Sequence, residues 1–373
     1  MNTMRLWFLI SLTCFVNSKS PIDSLVHKPN LITQTSILSD HEKLNDDFHN
    51  SSNPASTIQL AYVTPWNNRG YELAKLTAHK LSHVSPVWFQ IKPQYEEGVF
   101  ETCRIEGAHG INRDWINLLR QKNKNIRIVP RLIFDNWSKN EMDEFLVKTQ
   151  LTKKCINTAA DFYQKNEFDG IVVEFYLQAI MVENSMEAKL YIIETMEEIA
   201  DIFHKRNLEV IFTVPQPLFP TRSPSMIIEP QEFREIAQFA DYVQVMTYDY
   251  NGDERAGVSP YNWFKECISY LGKGGKSEKL LSGINWYGYE YTTRNVQPII
   301  GKKFLDILSM FQDLEFSFDE HEIEHILSTP ESIIYYPSLT SLEARMKFAR
   351  EKTGGIAIWD YGQGLDYFTN LLV

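Results

Sequence analysis

Short apolar runs recur along this chain from Thr57 onwards, and stretches with helical periodicity separate them. The runs cover residues 58–63, 84–91, 126–134, 168–175, 208–214, 242–248, 280–286 and 355–359. Apolar residues at three- and four-residue spacing predict helices over 71–81, 114–122, 142–163, 187–205, 230–239, 261–270 and 342–351. Strands that alternate with helices indicate an α/β protein with a parallel sheet. Eight strands predict a closed (β/α)8 TIM barrel, because a doubly wound sheet more often has five or six.

The last two runs are separated by some seventy residues, which is more than a crossover helix needs. We therefore predict an insertion over residues 287–337, between strands 7 and 8. The segments 314–318 and 332–336 have the composition of strands. This pattern favours a small β element above the barrel mouth.

The N-terminal part of the chain has a different pattern. Residues 1–20 contain Arg5, an apolar stretch over 6–16 and then small and polar residues, which predicts a cleaved signal peptide. That stretch is too short to cross a bilayer, and no other segment is apolar enough, so we expect no membrane insertion. Residues 21–56 are polar with little periodicity and predict an N-terminal arm, which leaves 57–373 for the barrel domain.

Composition narrows the classes of partner. The chain has 373 residues, of which 43% are hydrophobic, and a net charge of −11. Such a charge argues against nucleic acid or an anionic membrane surface as the partner. The histidines show no paired ligand spacing, and the glycine-rich segment 272–276 lacks the P-loop pattern, so we predict no metal site and no cofactor.

Cysteines and sequons bear on the compartment. Cys14 lies in the predicted signal peptide, which leaves Cys103, Cys155 and Cys267. Three cysteines allow one disulfide and one free thiol, but their spacing assigns no pair, and three buried thiols fit equally well. Sequons at Asn50 and Asn136 are compatible with glycosylation in a secreted chain.

In a TIM barrel the chemistry lies at the carboxyl ends of the strands. Aromatic residues occur at nearly every predicted strand end, and we expect them to pave a groove on which sugar rings can stack. Any one of these aromatic residues could equally belong to the core, so only their number favours a binding site. The candidate ligand-binding residues are Tyr62, Trp66, Trp88, Arg131, Glu174, Tyr176, Met246, Tyr248, Asp249, Asn285, Trp286 and Trp359.

The segment 167–178, E-F-D-G-I-V-V-E-F-Y-L-Q, resembles the fourth strand of glycoside hydrolase family 18, the chitinase family, whose signature is F-D-G-x-D-x-D-x-E. Phe168, Asp169 and Gly170 match this signature. Glu174 takes the place of its third aspartate, and Tyr176 replaces the glutamate that serves as proton donor in the family. The resemblance thus implies a chitinase scaffold without its catalytic acid.

Two further motifs extend the resemblance over most of the chain. The sequence M-T-Y-D at 246–249 is similar to the sixth-strand motif of the family, which implies that Tyr248 and Asp249 would hold the N-acetyl group of a sugar. Trp359 follows G-G-I-A-I and resembles the tryptophan beneath the central sugar.

Longer runs resemble a chitinase-like subgroup of the family. These runs are V-P-R-L-I-F-D-N-W, F-D-G-I-V-V-E, V-Q-V-M-T-Y-D-Y and I-W-D-Y-G-Q-G-L-D-Y. This likeness implies a secreted or lysosomal protein that binds oligosaccharides of the N-acetylglucosamine type and contributes to pathogen sensing. It also implies a sorting or scavenger receptor as a further partner.

Hydrolysis in this family is substrate-assisted and needs a carboxylic acid to protonate the leaving oxygen. Strand alternation predicts that Glu174 and Tyr176 both point into the barrel. A phenol with a pKa near 10 is a poor acid for this step, and Glu174 lies about 6.6 Å deeper at ~3.3 Å per residue. We therefore assign no catalytic residue. The alternatives are a glycosidase that uses Asp249 or Glu174 as its acid, and an interaction module with a collapsed groove.

A carboxylate inside a barrel needs a partner, because an unpaired buried charge is very costly. Arg131 on the neighbouring third strand has the required parity. We predict an ion pair between Arg131 and Glu174 that holds the floor of the groove.

Overall fold

The computed structural model describes residues 28–44, 57–183, 185–252, 254–273, 275, 277–312 and 314–372. The strands are β1 (Ile58–Val63), β2 (His83–Pro86), β3 (Phe89–Glu96), β4 (Val99–Glu106), β5 (Arg127–Ile128), β6 (Arg131–Ile133), β7 (Gly170–Glu174), β8 (Glu209–Val214), β9 (Tyr242–Val245), β10 (Ser277–Asn285), β11 (Gly288–Thr292), β12 (Val296–Ile299), β13 (Glu315–Asp319), β14 (Glu324–Ser328), β15 (Ser332–Tyr335) and β16 (Thr353–Trp359). The helices are α1 (Gln34–Asp40), α2 (Asn68–Thr77), α3 (Arg113–Lys122), α4 (Lys139–Val147), α5 (Thr149–Lys165), α6 (Tyr176–Val182), α7 (Met186–His204), α8 (Pro230–Phe239), α9 (Tyr261–Leu271), α10 (Gly301–Met310) and α11 (Leu339–Lys352).

The parallel strands close into a barrel. β1 pairs with β2 on one side and with β16 on the other, and the order continues through β10, β9, β8, β7 and β6. β2 pairs with β5, and β3 pairs with β6, so the second and third barrel strands each consist of two pieces. In the third strand the break falls at Pro130, which has no N–H for the ladder. The predicted (β/α)8 barrel is confirmed.

The second predicted strand, 84–91, differs from the structure. It is split, and its second piece runs on as β3 into an antiparallel hairpin with β4. The turn contains Glu97 and Gly98, both with positive φ. A disulfide between Cys103 and Cys155 ties β4 to α5, and Cys267 is a free, buried cysteine.

The insertion is larger than the two strands predicted for it. Its antiparallel sheet has five strands in the order β12-β11-β15-β14-β13, and α10 lies in the same segment. Two of these strands, β13 and β15, overlap the predicted ones. A buried ion pair fixes the sheet to the barrel, since Arg345 on α11 lies 2.5 Å from Glu324 on β14.

Part of the predicted N-terminal arm packs against the domain. Residues 1–27 and 45–56, with the predicted signal peptide and Asn50, lie outside the described residues. Within 28–44, Ile32 and Ile37 are buried, and Gln34 donates hydrogen bonds to the carbonyls of Leu308 and Phe311 at 2.5 and 2.7 Å. The arm therefore contains a helix, α1, that its polar composition did not reveal. Among the described residues no helix is long and apolar enough to cross a membrane.

Strand alternation separates two layers of apolar side chains. One set fills the barrel interior, and its members include Leu60, Tyr62, Val129, Val172, Ile211, Leu281 and Ala357. Residues of the opposite parity, such as Val173 and Phe212, join the larger cluster between strands and helices. A side chain at a strand end therefore faces the mouth only if it keeps the interior parity.

Candidate functional site

The floor of the barrel mouth carries the predicted ion pair. Arg131 Nη1 lies 2.6 Å from Glu174 Oε2, and both side chains are less than one-fifth exposed, at 14% and 18%. The register of β6 and β7 places Arg131 beside Val172 and Ile133 beside Glu174, so both charged side chains project inward. Gln178 on α6 donates to the other carboxylate oxygen at 3.1 Å. The predicted pairing of Arg131 with Glu174 is confirmed.

A chain of hydrogen bonds crosses the floor from β1 to the end of β9. The hydroxyl of Tyr62 donates to Gln244 Oε1, and the amide of Gln244 donates to the hydroxyl of Tyr248 at 3.2 Å. Burial raises the pKa of Tyr62 and of Tyr248 well above the usual value of a phenol. Both therefore remain neutral hydroxyls that can orient a polar ligand.

Asp249 lies at the rim, directly after Tyr248. Its φ of 58° is in the left-handed region, which asparagine and aspartate tolerate better than most residues. Its exposed carboxylate accepts hydrogen bonds from the hydroxyl of Tyr287 and, at 3.4 Å, from that of Tyr289. Burial, followed by the Asp249 charge, raises the pKa of Tyr287. Asn285 supports this corner, because its amide donates to the Tyr287 carbonyl at 2.8 Å.

Trp359 joins the floor to the rim. It packs against the interior cluster, where its ring meets Tyr62 edge-on at 5.3 Å, and also against the cluster of Tyr248, Val258 and Tyr287. Met246 packs on the same rim cluster. Trp359 and Met246 are only partly buried, so both offer apolar surface at the mouth.

Several buried polar atoms around this mouth have no hydrogen-bond partner among the described residues. They include Arg131 Nε, Gln178 Oε1 and Thr213 Oγ1. Thr213 lies on β8 two residues beyond the interior residue Ile211, so it shares the inward parity. An unsatisfied buried donor or acceptor costs roughly 1–3 kcal/mol. The floor therefore has unused capacity to bind a polar ligand.

Tyr176 does not point into the barrel, so its predicted orientation toward the groove was wrong. The strand ends at Glu174 and helix α6 begins at Tyr176, so alternation no longer applies. Its side chain is fully buried in the outer layer, and the hydroxyl donates to the Ile227 carbonyl at 2.7 Å. Burial, with a contribution from Glu232, raises its pKa.

Two predicted tryptophans also lie outside the mouth. Trp88 is 7% exposed and packs in the outer layer, where its indole N–H donates to the Tyr71 hydroxyl at 2.7 Å. Trp286 is fully buried and stacks on Tyr361 with ring centroids 4.8 Å apart. Trp286 has the outward parity of its strand, since Leu281, five residues earlier, points inward. Neither ring faces the mouth, which corrects the predicted placement of both at the groove.

Trp66 lies neither at the mouth nor in the outer layer. It is 66% exposed and lines a separate cavity of about 540 Å³, together with residues of the N-terminal arm and α10. The structure thus brings seven of the predicted residues together at the mouth, with Asn285 behind them. The seven are Tyr62, Arg131, Glu174, Met246, Tyr248, Asp249 and Trp359.

Sequence reasoning missed four residues of the mouth: Gln178, Gln244, Tyr287 and Tyr289. Two of these had a signal, because Gln244 and Tyr287 keep the inward parity of β9 and β10. Gln178 and Tyr289 had none, since α6 and β11 were not predicted. Among the described residues, no group of histidine, cysteine, aspartate and glutamate could hold a metal ion.

The chain belongs to the glycosyl hydrolases family 18, whose model matches residues 59–364. A curated relative, the uncharacterized glycosylase YvbX of Bacillus subtilis (strain 168), is 21% identical over 244 residues, which cover 61% of this chain and 66% of that protein. The chain thus spans just under two thirds of that relative.

Solved structures show the same fold. A chitinase from Chromobacterium violaceum has a TM-score of 0.69 at 18% identity, covering 85% of this chain and 98% of that one. A chitinase from Cycas revoluta, solved in complex with (GlcNAc)3, has a TM-score of 0.67 at 14% identity, with the same coverage. Identities this low establish the barrel and leave the ligand open.

Proposed function

We propose that this protein is a chitinase-like lectin that binds oligosaccharides of the N-acetylglucosamine type at the barrel mouth without hydrolysing them. Within family 18 the proposal places it near chitinase domain-containing protein 1, on the sequence runs that resemble it. The proposed setting is secretion, with delivery to lysosomes through a sorting or scavenger receptor. The proposed role is recognition of microbial glycans.

The proposal that the protein does not hydrolyse its ligand rests on Tyr176, which occupies the sequence position of the family's proton donor. Its hydroxyl is bonded to the Ile227 carbonyl at 2.7 Å and its pKa is raised, so it supplies no proton to a glycosidic oxygen at neutral pH. Glu174, the nearest carboxylate along the chain, is bonded to both Arg131 and Gln178.

The proposed ligand follows from the chemistry of the mouth. Trp359 provides a partly exposed ring of the kind on which sugars stack, and Met246 extends the apolar surface. Arg131 and Gln178 provide unpaired polar atoms, and Asp249 provides an exposed carboxylate acceptor. The complex of the Cycas revoluta chitinase with (GlcNAc)3 supports the choice of an N-acetylglucosamine oligomer.

Binding is tested by tryptophan fluorescence of the mature chain titrated with chitotetraose. We expect a saturable change, and Trp359→Ala removes the part of it that comes from the mouth, because this ring is the stacking surface there. Trp66→Ala is the matched control, since Trp66 lies in a separate cavity. A titration without response would favour an interaction module with an unused groove.

Hydrolysis is tested separately with a chromogenic chito-oligosaccharide between pH 4 and 8. We expect no turnover above the rate of the buffer. Turnover that Glu174→Gln or Asp249→Asn removes would instead support an active glycosidase with an unusual acid. A glycan array would then define which sugar and what length of sugar the mouth prefers.

A further inference from the structure

A cleft on the outside of the barrel lies between helices α2 and α3. We call it the outer cleft; it has a volume of about 590 Å³. Asn68, Tyr71 and Glu72 line it from α2, where a spacing of three and four residues places them on one face. Asp114 and Trp115 line it from α3. Sites for small molecules commonly have volumes of about 300–1,000 Å³.

Hydrogen bonds hold the aromatic wall of the outer cleft in place. The indole N–H of Trp88 donates to the Tyr71 hydroxyl at 2.7 Å, and that of Trp115 donates to the Tyr71 carbonyl at 3.0 Å. The rings of Tyr71 and Trp115 meet edge-on at 5.0 Å. Because the Tyr71 hydroxyl accepts the bond from Trp88, its own proton is not used in that bond. Tyr71 is partly exposed and offers both a ring and a donor to the cleft.

The loop before α3 closes one side of the cleft. Gly110 passes so near the Trp88 ring that an added Cβ would lie 3.1 Å from its Cδ1 atom. Only a residue without a side chain allows this approach without displacing the ring. The wall is therefore built tightly from three aromatic rings and a glycine.

Polar groups with nearly balanced charge surround these rings. Asn68 and Asp114 are exposed, and Glu72 is paired with Lys75 at 2.6 Å. The lining therefore has two carboxylates and one cation, which disfavours the binding of an anion. An aromatic surface edged by amide and carboxylate groups suits a neutral ligand with an apolar face and several hydroxyls.

We propose that the outer cleft is a second saccharide site, separate from the barrel mouth, that takes a neutral hexose or N-acetylhexosamine. The sugar ring lies against Tyr71, and its hydroxyls bind Asn68 and Asp114. This site goes beyond the function proposed for the mouth and does not depend on it. A protein with two such sites can hold two sugars of one glycan or link two glycans.

The test is a titration of the full mature chain, labelled with ¹⁵N-tryptophan, with N-acetylglucosamine. The indole resonances of Trp88 and Trp115 are assigned from their contacts with the Tyr71 ring, and we expect both to shift in a saturable way. Asn68→Ala combined with Asp114→Ala weakens this response about tenfold or more, equivalent to one or two hydrogen bonds. Both positions are exposed, so the variant should fold.

Two controls make the outcome decisive. Glu194→Ala removes an exposed carboxylate on α7 and leaves the affinity unchanged. Trp359→Ala affects the mouth and leaves the shifts of the outer indoles in place, so failure of one site is distinguished from failure of the other. Unresponsive indoles, equal affinity of wild type and the double variant, or loss of the outer shifts in Trp359→Ala would each overturn the proposal.

Discussion

Aromatic side chains fill two regions of this protein, the mouth of the barrel and the layer between its strands and helices. In the mouth, Trp359 is partly exposed and borders polar groups with unused hydrogen-bonding capacity. In the outer layer, Trp286 and Trp88 are buried against other rings. All three follow or end a strand in similar sequence contexts. Their different surroundings show that position at a strand end is not enough to identify a binding residue.

Parity along the strand makes the difference. Trp359 has the parity of the interior residue Ala357, whereas Trp286 has the parity of Ile284, which packs in the outer layer. Tyr176 shows where this rule ends, because the strand stops two residues before it and a helix turns its side chain away. Inward parity is therefore a better criterion for a mouth side chain than position alone, provided that no helix begins at the strand end, since Tyr248 and Tyr287 keep this parity beyond β9 and β10.

The largest expected effect comes from replacing Trp286 with alanine and, in a second variant, Trp359 with alanine. Trp286→Ala removes a fully buried ring stacked on Tyr361, so we expect a loss of about 3–5 kcal/mol in the free energy of unfolding. Trp359→Ala should cost less stability, since its ring is partly exposed, while it abolishes binding of chitotetraose at the mouth. Urea denaturation and fluorescence titration measure the two effects. Equal stability losses would contradict the division into mouth and outer layer.

The ion pair of the floor gives the next effect. Arg131→Ala leaves the Glu174 carboxylate, only 18% exposed, without its cation, and we expect a loss of about 3–5 kcal/mol in stability. Arg131→Met combined with Glu174→Leu should lose clearly less, because no unpaired charge remains. Urea denaturation of both variants checks this. If the single variant were as stable as wild type, the pair would not hold the floor.

The free energy of unfolding should depend on pH through Asp360, which directly follows Trp359 at the end of β16. Burial raises the pKa of Asp360 to about 6, despite hydrogen bonds from Thr64 and the Gly362 N–H. The folded state therefore binds a proton more tightly than the unfolded state. Stability is highest below the unfolded pKa near 4 and falls by a total of about 3 kcal/mol as the pH rises through the folded pKa of about 6.

Asp360→Asn isolates this contribution, because the amide does not titrate. Urea denaturation between pH 4 and 7 should show a smaller fall in stability with rising pH than in wild type. Burial raises the pKa of Glu324 to about 7. Stability therefore also falls with rising pH because of Glu324, and this fall is the same in wild type and in Asp360→Asn. Identical pH profiles of wild type and variant would show that Asp360 does not contribute.

The smallest expected effect is the loss of stability when Tyr176 is replaced by phenylalanine. Tyr176→Phe leaves the Ile227 carbonyl without its donor and should cost about 1–3 kcal/mol in stability. Binding of chitotetraose should stay within experimental error of wild type, because the side chain does not reach the mouth. Weaker binding with unchanged stability would return Tyr176 to the site.

Much of the fold could be predicted from the pattern of apolar residues. Eight runs at suitable spacing indicated the barrel, and the ion pair of Arg131 and Glu174 followed from parity on neighbouring strands. The hairpin of β3 and β4 was missed because the strand prediction stopped at residue 91, inside β3. The disulfide between Cys103 and Cys155 had no signal, since it depends on how β4 packs against α5.

By itself, the sequence determined the order of the eight barrel strands, because this depends on local periodicity. It also determined which residue stands at the position of the family's acid. The tertiary structure alone decided which aromatic side chains reach the mouth. That outcome depends on where each strand ends and on what packs behind it. Trp88 and Tyr176 illustrate the reason: hydrogen bonds to Tyr71 and to the Ile227 carbonyl, both distant in sequence, hold them in the outer layer.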